Sequence, residues 1–95
     1  MAERYKRYEV VAKVVSQKGS CGSGHKVGDE WIIGRNTPDG MCEMAYHTLL
    51  PFIWVLAFDG ALPWYPDPHI AEVACPDGAN PVIFELRRWQ KIGIF

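Results

Sequence analysis

Residues 5–16 alternate between a mainly apolar face and a largely charged one. Lys6, Tyr8, Val10, Ala12 and Val14 fall on one face, and Tyr5, Arg7, Glu9, Val11, Lys13 and Val15 on the other. Beyond Lys6 the first face is wholly apolar, while the second is largely charged. A period of two with recurrent valine predicts a half-buried strand. Residues 17–28 break the pattern with Gly19, Ser20, Gly22, Ser23 and Gly24, which predicts a loop carrying Cys21 and His25. Gly28-Asp29 leads into a second strand over 30–34. Pro38-Asp39-Gly40 then combines a fixed φ, a side-chain turn acceptor and a left-handed residue, the makings of a tight turn.

From Met41 the period lengthens. Cys42, Ala45, Leu49, Phe52 and Leu56 recur at spacings of three and four, which predicts a helix with one apolar stripe. Proline inside a helix costs ~3 kcal/mol. The expected helix therefore runs about two turns to near Leu50, then kinks or restarts with Pro51 in first position, and Gly60 ends it. Residues 61–69 form an extended loop, punctuated by Pro63, Pro66 and Pro68, that presents Trp64 and Tyr65. Residues 70–75 and 82–89 read as a hairpin, with Val82, Phe84 and Leu86 turned to the core. The order ββαββ predicts one α+β domain over 1–95. Its architecture is a small antiparallel sheet, or a partly closed barrel, with one kinked helix packed on it.

The chain has 95 residues, 48% of them apolar, enough for one core without disulfide staples. Its net charge of −1 lacks the positive field that generic nucleic-acid binding requires, so no nucleic-acid partner is expected. Arg4, Lys6 and Arg7 near one end and Arg87, Arg88 and Lys91 near the other would form a basic stripe if the first and last strands pair. Such a stripe reads as a solvated edge that discourages aggregation. The longest apolar run, over 49–58, is about half the ~20 residues a spanning helix needs, so no membrane partner is expected. The opening residues show no apolar signal region. With an odd number of cysteines, three, this points to a reducing, cytoplasmic setting in which thiols are free, catalytic or metal-bound.

Cys21, His25, Cys42 and Cys75 are the strongest chemical candidates. Soft thiolates with one imidazole suit zinc or an iron–sulfur centre, and each cysteine lies in or beside a turn. Asp29 and Asp77 would then hydrogen-bond the ligands from outside. There is no Cys-x-x-Cys pair, so convergence of the thiols depends entirely on the fold. The plainer reading makes Cys42, on the helical stripe, and Cys75, on the face of Val73, small buried hydrophobes. Glu43 and His47 stand one helical turn apart, as a base and its orienting partner or as an exposed surface pair.

Three functions from different classes stay open. The first is a small cysteine-site protein that binds a metal ion or iron–sulfur centre as an accessory or redox component. The second is a non-catalytic interaction module, a homo-oligomer or a subunit of a partner protein, using Trp64, Tyr65 and the basic edge. The third is an enzyme with Cys21 as nucleophile and His25 or His47 as base, for which the sequence offers no oxyanion-stabilising arrangement.

Four segments taken together carry a resemblance: Cys21-x-x-x-His25-x-x-Gly28-Asp29, Pro38-x-Gly40-x-Cys42, Pro63-Trp64, and Cys75-Pro76-Asp77-Gly78 running into Pro81-Val82-Ile83-Phe84. Over nearly the whole chain this resembles a family of small prokaryotic proteins of similar length, common in anaerobes and of unknown function. The resemblance implies that the three cysteines, the Gly-Asp step and the Cys-Pro-Asp-Gly turn are the family's characteristic residues. It implies no activity, substrate or cofactor.

Overall fold

The alternating valine segment forms strand β1 (Lys6–Gln17), and the face assigned to the core is the face that is buried: Val10, Ala12 and Val14 have no solvent exposure. The computed structural model describes residues 4–94. Strand β2 (Glu30–Ile33), helix α1 (Glu43–Ala57), strand β3 (Ile70–Ala74) and strand β4 (Val82–Ile94) complete the ββαββ order. The four strands make one antiparallel sheet in the order β2-β1-β4-β3. The sheet is open, with β2 and β3 at its edges, and so takes the first of the two expected architectures rather than the barrel.

Helix α1 connects the two edge strands across one face of the sheet. Ala45, Leu49, Ile53, Leu56 and Ala57 pack there onto Val10, Ala12, Val14, Ile33, Ala71, Val73, Val82, Phe84 and Leu86. The other sheet face stays open, with Lys13, Ile32, Arg87 and Trp89 exposed on it.

Three expectations need correction. The helix neither ends near Leu50 nor restarts, because α1 runs unbroken through Pro51. The proline ring lies on the exposed side of the helix. There the bond that Pro51 cannot donate falls on the exposed side of the helix, where His47 is exposed too. The last strand also continues beyond Trp89. Its far half pairs with the start of β1, Lys6 opposite Ile94 and Tyr8 opposite Lys91, through register shifts at Tyr8. These bulges spoil the period of two that would have announced it.

Pairing of β1 with β4 does bring the basic residues of both ends together. The result is not a solvated stripe, since two of the arginines are used inside. Nε of Arg88 donates to the Leu56 carbonyl at 2.7 Å, and its Nη2 donates to the Gly60 carbonyl. A cation thus sits at the C-terminus of α1, where the last carbonyls lack helical partners and the dipole is negative. The chain leaves the helix through Asp59 at φ 65° and Gly60. A Cβ on Gly60 would stand 2.7 Å from the Val55 carbonyl oxygen, too close for any other residue. Arg7 donates to the Gly34 carbonyl at 3.2 Å, with its guanidinium over the Phe58 ring.

Candidate functional site

Three segments meet at the N-terminal end of α1: the loop between β1 and β2, the helix start itself, and the turn between β3 and β4. Between them lies a cavity of about 310 Å³, near the lower end of the range for small-molecule sites. Cys21, Ser23 and His25 line it from the first loop, Cys42 and Ala45 from the helix start, and Cys75 and Asp77 from the turn. Val82 and Phe84 of β4 form its floor. The three thiols, remote along the chain, therefore share one cavity wall with the imidazole. Each is half-buried and free of disulfide.

The glycine-rich loop is tied down by the opposite turn. The side-chain oxygen of Asn80 accepts the Ser20 N–H at 2.8 Å, and the Lys18 N–H donates to the Pro81 carbonyl at 3.1 Å. Gly19 sits at φ 68°, and a Cβ there would fall 2.2 Å from the Asn80 oxygen, so the two segments touch backbone to side chain. Asp77 holds Asn80 in turn. One carboxylate oxygen accepts the backbone N–H groups of Ala79 and Asn80, and the other accepts the Asn80 side-chain amide at 3.2 Å. These bonds, the amide of Asn80 first, hold the Asp77 carboxyl below its ordinary value. The Cys75 sulfur accepts the Val82 N–H at 3.3 Å, which fixes the thiol across the mouth of the hairpin.

Among the described residues His25 is the one buried polar residue, 7% exposed. Its ring meets Trp31 edge-on at 4.9 Å between centroids and Phe84 at 6.3 Å. Nε2 accepts the backbone N–H of Cys42 at 2.9 Å. Cys42 occupies the N-cap position of α1, in extended backbone at φ −55° and ψ 129°. Its thiol is held below its ordinary value, first by the Ser23 hydroxyl and next by the Ala45 N–H, with a smaller contribution from Met44; partial burial and Glu43 act the other way. The sulfur closes no cap hydrogen bond. The N–H groups act instead as nearby partial positive charges that favour the thiolate.

The expected metal tetrad does not assemble as a coordination shell. Among the described residues no three His, Cys, Asp or Glu side chains are grouped to hold a metal ion. The lone pair that His25 would offer through Nε2 is engaged by Cys42. Zinc or an iron–sulfur cluster does not fit these side chains as they stand. Asp77 lines the cavity but caps its own turn, and Asp29 closes the 26–29 turn by accepting the Lys26 N–H at 3.0 Å, outside the cavity. Glu43 and His47 are exposed on the helix and do not line the cavity. Trp64 is 68% exposed, whereas Tyr65 is half-buried and donates its hydroxyl to the Glu72 carbonyl at 3.0 Å.

Sequence reasoning placed the candidate nucleophile at Cys21. The thiol whose surroundings favour ionisation is Cys42, because only Cys42 joins the helix start. Ser23 and Asn80 were not singled out. The signal for Asn80 lay in its place between two turn prolines, where a side-chain amide is available to bridge. No protein-family model, curated protein or solved structure matches the chain.

Proposed function

We propose that the chain is a small cysteine-site protein acting through Cys42 as an accessory or redox component. The thiolate of Cys42 engages a small ligand held in the cavity between Cys21, Cys75 and Phe84. The observation that carries this reading is the convergence of all three thiols on one cavity at a helix N-terminus. A thiolate is the reactive form of cysteine, and electropositive, partly exposed surroundings are where reactive cysteines occur. The interaction-module reading has less behind it. It rests on the exposed Trp64, since the hydroxyl of Tyr65 is engaged within the fold.

Limiting iodoacetamide at neutral pH, followed by peptide mapping, tests the proposal. Cys42 is expected to be alkylated before Cys21 and Cys75, and Ser23→Ala is expected to slow it by removing the strongest stabilising contact of the thiolate. Preferential labelling of Cys21 or Cys75 would overturn the assignment. So would stoichiometric metal in protein purified without oxygen, lost on Cys42→Ser, which would restore the metal reading.

A further inference from the structure

A histidine that accepts a hydrogen bond at one ring nitrogen is neutral and carries its proton on the other. Nε2 of His25 accepts from Cys42, so Nδ1 bears the proton. Among the described residues no acceptor meets that Nδ1–H. Nor is it sealed from solvent, since the only described side-chain nitrogen or oxygen both sealed and unpaired is Nε of Arg7. The ring is 7% exposed and lines the cavity. A donor at a cavity wall that meets no acceptor within the protein is available to an acceptor on a ligand.

We propose that the cavity is a site for short-chain acyl thioesters, whose carbonyl oxygen accepts the Nδ1–H of His25 while Cys42 takes up the acyl group. The inference rests on Cys42 being the reactive thiolate. The Cys42 sulfur adds to the carbonyl carbon, and the electron pair moves onto the oxygen facing Nδ1–H. The pair returns as the bond to the departing sulfur breaks. The products are S-acyl-Cys42 and a free thiolate, which takes a proton from water. No oxidant is consumed, and one thioester replaces another.

Other ligand classes match the cavity less well. A disulfide offers only weak sulfur acceptors and would leave the N–H unpaired. A metal ion would have to do without the imidazole lone pair that Cys42 engages, and among the described residues no three His, Cys, Asp or Glu side chains are grouped to hold one. Oxygen esters and amides leave as poorer groups that need a proton. The carboxyl in reach, Asp77, is held ionised by Asn80 and Ala79 and is not an acid for that purpose. A thiolate leaves unaided. Ala45, Pro76, Val82 and Phe84 supply an apolar surface for a short alkyl chain, within a volume of about 310 Å³.

The test is incubation of the whole protein with S-butyryl-N-acetylcysteamine, read by intact mass and peptide mapping. One butyryl group is expected on Cys42, and none on the Cys42→Ser protein. In His25→Phe, acylation should fall about 100-fold further than alkylation by iodoacetamide falls, because only acylation builds charge on an oxygen that the lost N–H would stabilise. Cys42 that alkylates readily but does not acylate overturns the thioester assignment and leaves the thiolate reading intact. Faster mixed-disulfide formation with a small neutral disulfide overturns it as well. Equal slowing of both reactions in His25→Phe removes the donor role. Should that variant not fold, ¹⁵N-histidine spectra of Cys42→Ser serve instead: the Nδ1–H signal of His25 must move on adding the thioester, and an unmoved signal overturns the proposal.

Discussion

Replacing Arg88 by methionine is expected to destabilise the fold by about 2–4 kcal/mol, a large effect for a residue that composition alone would assign to the surface. Methionine preserves much of the stem's packing but removes both donors. The Leu56 and Gly60 carbonyls are then left at the end of α1 without partners. The positive charge that opposes the helix dipole is lost with them. The guanidinium side chain is 11% exposed, so water does not readily replace it. Its ion pair with Asp59 contributes little, being 3.7 Å long with the carboxylate half exposed. Arg88→Lys should recover only part of the loss, because a single ammonium cannot span both carbonyls as the planar fork does. Thermal unfolding of the three proteins checks this, at roughly 4–8 °C per kcal/mol for a domain of this size. A melting temperature unchanged in Arg88→Met would show that the helix end is held by something else.

Phe84→Ala is expected to cost more still, ~3–5 kcal/mol, the usual range for truncating a buried phenylalanine. Phe84 is wholly buried in β4, pairs opposite Val14 and Val73, and packs against Trp31 and His25. Its removal opens a hole between helix and sheet that is continuous with the cavity floor. The same substitution should therefore weaken the hold on His25 and change the reactivity of Cys42 along with stability. Trp64→Ala is the contrast. That indole is larger but mostly exposed, and its loss should stay within about 0.5 kcal/mol. Chemical denaturation of both variants separates the two, and a comparable loss in each would contradict the packing described.

The elements legible in the sequence are those whose two faces differ. β1 announced itself because Val10, Ala12 and Val14 alternate with exposed or half-buried side chains, and Val82, Phe84 and Leu86 did the same at the start of β4. Beyond Trp89 most of β4 is exposed, and the pattern that would betray a strand disappears. Pro51 misled because a local penalty of ~3 kcal/mol is outweighed by the burial of Ile53, Leu56 and Ala57 on the continuing helix. Arg88 misled because charge in a strand reads as surface. Its role depends on a carbonyl cluster more than twenty-five positions away in sequence.

For the site, residue types were legible and their arrangement was not. The turns that carry Cys21, Cys42 and Cys75 could be read from glycine, proline and aspartate. That they meet depends on the pairing of β1 with β4, which sets the loop after β1 beside the turn before β4. The ranking among the thiols was not legible either. It depends on which cysteine joins the helix start, a fact of backbone geometry rather than of composition.

The proposed function turns on how readily the sulfur at the start of α1 ionises, and cysteine-selective ¹³C NMR followed against pH observes this directly. Cys42 should lose its proton below the ~8–9 of an unperturbed thiol, with a midpoint that rises in Ser23→Ala. A Cys42 signal that titrates in or above that ordinary range, and is indifferent to Ser23, would contradict it.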